Sequence, residues 1–277
     1  MVTMQQDLRF GVVQGRLMQA PAGHLQWFPQ DAWEAEFFVA AALGIDYIEL
    51  VAERSHNPGN PLWSAEGVER INALVLRNKL ATHAFCNDYI IDHCLIDDDE
   101  VVDQSLRLAE RGALLGCEKY IFPLFEKSEL TVANLAAYID PLRAIADKVQ
   151  AVGITLCLET GLHGAALADF LDRIAHPAIK AVYDTGNRVA FGHDLPGDIR
   201  LLGDRIAHVH IKDKNADNEN VLLGRGLVDF LRVYEALADI GYSGPYTFET
   251  VRGNDPLRTA AHNLAFARFF HAEARGE

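Results

Sequence analysis

The even spacing of short apolar segments is the feature that most constrains how this chain folds. Eight such segments recur along the 277 residues, and each is followed by a segment with helical spacing or helix-capping residues. Their centres lie about 34 residues apart, which is the size of one strand-plus-helix unit. The strands are predicted at residues 8–13, 47–51, 79–85, 119–123, 154–159, 179–184, 206–211 and 246–249.

Eight parallel strands that alternate with helices predict an α/β protein with one closed (β/α)8 barrel, a TIM barrel. The spacing shows no break or linker, so residues 1–277 are predicted to form a single domain. A doubly wound open sheet is the alternative. An open sheet of this kind would need a glycine-rich nucleotide-binding turn, G-x-G-x-x-G, after an early strand. The segment G-V-V-Q-G-R at residues 11–16 does not match that pattern.

Charge and hydropathy weigh against several classes of partner. The net charge of -14 disfavours binding to nucleic acid, which usually needs a basic face. The N-terminus has no basic region followed by an apolar run, and the longest apolar runs, such as residues 37–43, fall short of the ~18 residues of a membrane span. The four cysteines form no C-x-x-C pair and are predicted to be reduced core thiols. We therefore expect a cytoplasmic protein with no membrane partner.

Polar residues at strand ends predict a metal site. In such barrels the active site lies at the carboxyl ends of the strands. In the stretch I-A-H-V-H-I-K-D at residues 206–213, a period of two places His208, His210 and Lys212 on one face of a buried strand. Buried polar groups must be paired or bind a metal. Three other strands each end in one acid, namely Glu159, Asp184 and Glu249.

Three carboxylates and the His210 imidazole suit one divalent ion, either Mn²⁺, Mg²⁺, Co²⁺ or Zn²⁺. The alternative is that each is an ordinary solvated or salt-bridged residue. That alternative requires that each of the last four strands carries a ligand-type residue near its end by chance. His208, one inward-facing layer deeper, is expected to have a hydrogen-bonding role inside the barrel.

Other polar residues near strand ends are candidates for substrate binding. Three are cations that could bind hydroxyls or a phosphate, namely Arg16, Lys212 and Arg225. Two more, Glu49 and His83, could hydrogen-bond a hydroxyl. Each has a structural alternative, since Arg16 could pair with a barrel acid and Arg225 could be a surface charge. The sequence shows no backbone phosphate cradle, so it leaves open whether the substrate is phosphorylated.

Five short segments together resemble the xylose-isomerase-like sugar and sugar-phosphate isomerases and epimerases. They are Q-G-R at 14–16, L-C-L-E-T at 156–160, Y-D-T-G-N at 183–187, H-V-H-I-K-D at 208–213 and G-P-Y-T-F-E at 244–249. The resemblance covers nearly the whole chain. The family that the chain resembles includes ketose 3-epimerases, L-xylulose 5-phosphate 3-epimerase, hydroxypyruvate isomerase and inosose dehydratase. It implies a metal held by Glu159, Asp184, His210 and Glu249, with Glu159 and Glu249 also acting as an acid/base pair.

One position departs from this family pattern. Many ketose epimerases carry a histidine three residues after the ligand aspartate, where it touches the substrate, and this chain has Asn187 there. An amide can hydrogen-bond a hydroxyl but cannot shuttle a proton at neutral pH. Asn187 is therefore a candidate substrate contact, and the reaction and substrate stay open.

The resemblance implies a divalent-metal-dependent isomerase or epimerase that acts on a small-molecule ketose or ketose phosphate through an enediolate. An inosose-type dehydratase on the same metal site is the main alternative. An endonuclease IV-like repair enzyme is disfavoured, because residues 214–226 contain none of the additional histidines it would need. A non-catalytic sugar-binding barrel is disfavoured by the complete set of four ligands. Members of the family often form homo-oligomers, so a dimer or tetramer is expected.

Overall fold

A closed barrel of eight parallel strands forms the centre of the computed structural model, which describes residues 8–276. The barrel strands are β1 Phe10–Val13, β2 Tyr47–Ala52, β3 Ala84–Asn87, β4 Lys119–Leu124, β5 Thr155–Thr160, β6 Ile179–Asp184, β7 Ile206–Ile211 and β10 Tyr246–Phe248. Around the barrel their order is β1-β10-β7-β6-β5-β4-β3-β2. A separate two-stranded antiparallel ribbon, β8 Asp213–Lys214 and β9 Asn220–Val221, follows β7. The predicted (β/α)8 TIM barrel is confirmed.

Helices connect successive strands and cover the outside of the barrel. The helices are α1 Trp33–Leu43, α2 Ala65–Asn78, α3 Tyr89–Asp92, α4 Asp99–Leu114, α5 Leu135–Ala151, α6 Gly164–Ile174, α7 Thr185–Ala190, α8 Leu195–Leu202, α9 Phe230–Asp239 and α10 Pro256–Glu273. Side-chain caps fix several of their starts. Ser64 accepts a hydrogen bond from the Gly67 amide, and Asp255 accepts two from the amides of Leu257 and Arg258.

The third strand lies further along the chain than the sequence predicts. Lys79 adopts a left-handed conformation (φ 55°) that ends α2, and the Leu80 amide bonds back to the Val75 carbonyl at 3.1 Å. The chain after Lys79 therefore crosses from the helix to the barrel, and the strand begins only at Ala84. His83 precedes the strand, which places it at the amino-terminal end of the barrel and not near the carboxyl end.

The inside of the barrel contains an apolar part and a polar part. Alternate side chains of each strand point inward. The apolar inward residues form a cluster separate from the larger core between strands and helices: Val13, Val51, Ala84, Cys86, Ile121, Cys157 and Val182. Four completely buried polar residues point inward from β2, β7 and β10: Tyr47, Glu49, His208 and Thr247. These three strands therefore place polar groups beneath the carboxyl end of the barrel.

Across the described part of the chain, no helix has both the length and the apolar character that crossing a bilayer requires. The N-terminal residues 1–7, on which the prediction of no secretory leader rests, lie outside the described residues.

A glycine in β1 makes room for the lowest polar layer of the barrel. Gly11 pairs with Tyr47, and a Cβ on Gly11 would lie 2.1 Å from the Tyr47 ring. We expect Gly11→Ala to lower the free energy of unfolding in urea by about 1–3 kcal/mol, because the fully buried ring has to move. Gly161→Ala is the matched control, since its new Cβ would meet its nearest neighbour at an ordinary 3.5 Å. Equal stabilities of the two variants would contradict this explanation.

A candidate metal centre in the barrel mouth

Four side chains with metal-binding atoms meet at the carboxyl ends of neighbouring strands. Glu159 lies at the end of β5, and Asp184 ends β6 directly opposite His210 of β7 in the parallel register. Glu249 follows β10, and its amide bonds to the Ile211 carbonyl at 3.2 Å. The ligand-type atoms of these residues all lie within 4.8 Å of one another. The structure therefore brings the four predicted metal ligands together.

The imidazole of His210 faces all three carboxylates with one nitrogen. Its Nδ1 lies 3.4 Å from Glu249 Oε2, 3.7 Å from Glu159 Oε2 and 3.9 Å from Asp184 Oδ2. The His210 and Asp184 side chains are 2% exposed, that of Glu159 is 7% and that of Glu249 is 15%. The group is thus buried on the barrel side and reaches solvent mainly through Glu249.

Two buried atoms of this group are without a hydrogen-bond partner. Among the residues that the structure describes, both His210 Nδ1 and Asp184 Oδ2 are buried and unsatisfied. The other oxygen of Asp184 caps α7, where it accepts a hydrogen bond from the Asn187 amide at 2.5 Å. Leaving buried polar atoms unpaired costs free energy, and a cation between them would satisfy both. The donor set and these orphaned atoms fit a divalent ion.

Glu49 lies directly beneath the group and is completely buried. Its Oε1 accepts a hydrogen bond from His210 Nε2 at 3.0 Å, and its Oε2 accepts one from His208 Nε2 at 2.7 Å. The Thr247 hydroxyl donates to Oε2 at 3.1 Å. His208 therefore has the hydrogen-bonding role expected inside the barrel, and both oxygens of Glu49 are occupied by protein donors.

Glu49, His208 and His210 also form a group of three residues whose ligand atoms lie close together. This lower group offers one carboxylate, whereas the upper group offers three. Divalent Mg²⁺ and Mn²⁺ prefer carboxylate oxygens. The upper group is therefore the better candidate for the metal centre.

The two glutamates of the group have different neighbours. Glu249 lies 3.0 Å from Lys212 Nζ and 3.5 Å from Arg16 Nη2. Glu159 accepts a hydrogen bond from the Asn187 side-chain amide at 2.9 Å. Glu249 is thus flanked by two cations, while the hydrogen-bond donor on Glu159 is neutral.

The different neighbours of Glu249 and Glu159 shift the pKa values of the two carboxyl groups in opposite directions. Burial alone would raise the pKa of Glu249, but Lys212, His210 and Arg16 outweigh it and lower that pKa well below the usual value. Burial raises the pKa of Glu159, and the negative charges of Asp184 and Glu249 add to this effect despite the opposing charge of His210. The neighbours of Glu249 therefore favour its ionised form, whereas the surroundings of Glu159 favour its protonated form.

A cavity of about 980 Å³ opens above Glu159, Asp184, His210 and Glu249, the candidate metal-ligand group. Asn187 and Lys212 line it, as expected for substrate contacts, and Glu49 lies at its floor. The sequence did not single out several further lining residues as contacts, namely Gln26, Arg54, Asp88, Phe125, Glu126, Phe191 and Lys214. Most lie on loops after the strands. Asp88, which follows β3 directly, could have been found by the strand-end rule that located the four candidate ligands.

The structure does not bring three of the predicted substrate contacts into this cavity. Arg16 is buried behind Glu249, where its Nη2 also donates to Gln26 at 2.8 Å. Arg225 is exposed on the loop after β9. His83 lines a different cavity of about 500 Å³ at the amino-terminal end of the barrel, with its Nδ1 3.2 Å from Glu118. The displaced start of β3 explains the position of His83.

Comparison with known proteins places this barrel in a family. The family described as xylose isomerase-like TIM barrel matches residues 37–269. An L-ribulose-5-phosphate 3-epimerase of Shigella flexneri is 24% identical over 234 residues, which cover 79% of this chain and 82% of the relative.

Two solved structures share the fold. The D-psicose 3-epimerase of Clostridium cellulolyticum H10, solved with D-tagatose, has a TM-score of 0.76 and 19% identity, covering 95% of this chain and 99% of its own. A xylose isomerase-like TIM barrel protein of Mycobacterium smegmatis was solved with magnesium. It has a TM-score of 0.72 and 18% identity, and the match covers 96% of this chain and 97% of that protein. With a family match over most of its length, the chain belongs to the xylose isomerase-like TIM barrel family.

Proposed function

We propose that this protein is a divalent-metal-dependent epimerase or isomerase of a ketose or ketose phosphate. The observation that supports it most is the convergence of three carboxylates and one imidazole, with two orphaned ligand atoms, at the floor of a large cavity. Relatives of the chain include an L-ribulose-5-phosphate 3-epimerase, and a structural neighbour is a D-psicose 3-epimerase. The proposed metal ligands are Glu159, Asp184, His210 and Glu249.

The ion itself would supply Lewis-acid chemistry, since a bound Mn²⁺, Mg²⁺, Co²⁺ or Zn²⁺ polarises a carbonyl and stabilises developing negative charge. The unpaired oxygen of Asp184 and the unpaired nitrogen of His210 lie 3.9 Å apart and would both be available to the ion. Both side chains are held on strand ends, so the ligands are pre-organised by the barrel.

Glu249 is suited to remove the proton from the carbon next to the substrate carbonyl. Lys212 and Arg16 keep its side chain ionised, and it is the most exposed member of the ligand group toward the cavity. Proton removal gives an enediolate, whose charge the ammonium of Lys212 also stabilises. Arg16, which lies behind the carboxylate, holds Glu249 in place instead of touching the substrate.

Glu159 is suited to return a proton from the other side. It lies on β5, which β6 and β7 separate from β10 around the barrel. The Asn187 amide fixes one of its oxygens. If the two glutamates contact the substrate from their different strands, a proton can leave one face of the carbon and return to the other, which inverts the configuration. Return of the proton to the adjacent carbon would instead give aldose–ketose isomerisation.

A dehydratase on the same site is the second candidate. The observation that favours it is Asn187, which stands where many ketose epimerases carry a substrate-contacting histidine and here bonds Glu159. Loss of a hydroxyl from the enediolate would then compete with proton return. Analysis of the products separates the two reactions.

A homo-oligomer, either a dimer or a tetramer, and a cytoplasmic location stay predictions. Light scattering of the purified protein tests the first, and fractionation of cells that make it tests the second.

Hydrogen exchange with solvent tests the proposed chemistry most directly. We expect the Mn²⁺- or Co²⁺-loaded protein to incorporate deuterium from D₂O at the carbon next to the carbonyl of a ketose or ketose 5-phosphate. Nuclear magnetic resonance of the recovered sugars would show a deuterated epimer, an aldose or a dehydrated product. Absence of exchange with every sugar of a panel that contains both free and phosphorylated ketoses would overturn the proposal.

Substitution of either glutamate should remove proton transfer. We expect Glu159→Gln and Glu249→Gln to lower kcat about 10²–10⁴-fold at saturating metal, because an amide cannot act as acid or base here. Metal content is measured in each variant, since both residues are also proposed ligands. Glu235→Gln on the exposed face of α9 makes the same chemical change far from the cavity and should keep the kcat of the unmodified protein. A fully active Glu249→Gln protein would contradict its role as base.

Metal should stabilise the fold through this site. At an ion concentration about 100 times Kd, linkage adds about 2.7 kcal/mol, which corresponds to a rise in Tm of about 4–6 °C for a chain of this size. We expect this rise for the unmodified protein and for Asp140→Asn, a control on the exposed face of α5. We expect little or no rise for Asp184→Asn. A full rise in Asp184→Asn would place the metal elsewhere.

A further inference from the structure

The two ring nitrogens of His210 face different partners. Nε2 lies 3.0 Å from Glu49 Oε1, below the metal-ligand group. Nδ1 faces the carboxylates of Glu159, Asp184 and Glu249 at 3.4–3.9 Å and has no hydrogen-bond partner within the described chain. A neutral imidazole has one N–H and one lone pair, and the partner of one nitrogen decides which form is present.

We infer that Glu49 is the positioning residue that makes Nδ1 the metal-ligating nitrogen of His210. A carboxylate can only accept hydrogen bonds, so its contact with Nε2 keeps the proton there and leaves the lone pair on Nδ1. The inference rests on the proposed function, because it needs the ion at the four-residue group. It moves Glu49 from a predicted substrate contact to a residue that acts through the histidine.

Glu49 is suited to this role because its own position is fixed. Its Oε2 accepts hydrogen bonds from His208 Nε2 at 2.7 Å and from the Thr247 hydroxyl at 3.1 Å. The Tyr47 hydroxyl in turn lies 2.7 Å from the Thr247 oxygen. All of these side chains are completely buried. With three donors on two oxygens, the carboxylate has little freedom to turn, and Oε1 stays aimed at His210.

The same contacts leave little opportunity for Glu49 to bind a substrate hydroxyl. Its side chain is 1% exposed, and both oxygens have protein donors. A substrate hydroxyl would have to share Oε1 with His210 at a side chain that is almost fully enclosed by protein. The carboxylate also adds negative charge behind the imidazole, which makes Nδ1 a stronger electron donor toward a cation.

Removal of such an outer carboxylate typically weakens metal binding about 10- to 100-fold. In Glu49→Gln, the side chain keeps its size but replaces one acceptor oxygen by an NH₂ donor. The amide can then accept from only one of the two histidines. His210 loses the partner that fixes its proton, and its lone pair no longer points reliably at the metal position.

The first test uses the unmodified protein and needs no variant to fold. We expect long-range ¹H–¹⁵N correlations of the ¹⁵N-histidine protein loaded with Zn²⁺ to show one histidine with a hydrogen-bonded proton on Nε2 and a metal-shifted Nδ1. This signal should be absent before metal is added. A metal-bound histidine that instead carries its proton on Nδ1 would overturn the inference.

The second test compares metal affinity by titration calorimetry with Mn²⁺. We expect one ion per chain in the unmodified protein and a Kd about 10- to 100-fold higher in Glu49→Gln. Tyr47→Phe is the matched control, because it removes a hydrogen bond from the same buried network without touching either histidine. It should lower Tm while leaving the Kd for Mn²⁺ close to that of the unmodified protein.

The outcomes separate this inference from the proposed function. Tight binding of Mn²⁺ by the unmodified protein with an unchanged Kd in Glu49→Gln would overturn the role of Glu49 alone. Equal weakening in Tyr47→Phe and Glu49→Gln would also overturn it, since general loosening would then explain both. Two ions per chain would mean that Glu49 is itself a ligand. Failure of the unmodified protein to bind any divalent ion would overturn both proposals.

Discussion

Mutual repulsion of three buried carboxylates is the constraint on which the rest of this structure depends. Glu159, Asp184 and Glu249 lie in one small space with little water to screen them. Such groups stay charged only beside compensating positive charge. The protein supplies part of it through Lys212, whose ammonium lies 3.0 Å from Glu249 and 3.6 Å from Asp184. Burial opposes the charge on Lys212, but these carboxylates raise its pKa above the usual value. A divalent ion would complete the compensation.

This constraint also explains why the barrel interior is not uniformly apolar. His210 must present a nitrogen to the carboxylates, so the layer below it has to satisfy the other nitrogen. Glu49 does this, and its second oxygen then requires donors, which His208 and Thr247 provide. Each buried polar group thus needs a hydrogen-bond partner in the layer below it, and this chain of hydrogen bonds ends at the Tyr47 hydroxyl. Other inward positions are filled by apolar side chains that need no such partners.

The fold and the convergence of the four polar side chains could be predicted because both follow from regular rules. Strand spacing indicates the barrel, and a period of two together with the strand-end rule locates the four residues that we propose as metal ligands. Substrate contacts follow no such rule. His83 was misplaced because the left-handed turn at Lys79 shifts the start of the third strand. Arg225 lies on a loop whose path depends on Asp213, which accepts hydrogen bonds from three backbone amides of residues 224–228. Only the tertiary structure shows such a path.

The first turn of α7, which follows β6 directly, shows how one short motif serves several of these needs. The Thr185 hydroxyl accepts a hydrogen bond from the Lys212 amide at 2.9 Å and donates to the Lys212 carbonyl at 2.6 Å, which fixes the chain just beyond β7. Gly186 leaves room for the aliphatic part of Lys212, because a Cβ there would lie 2.7 Å from it. Asn187 then reaches across to Glu159. A side chain at Gly186 would push the ammonium away from the carboxylates, so the glycine in D-T-G-N is required by the charge balance of the site and not by its backbone conformation.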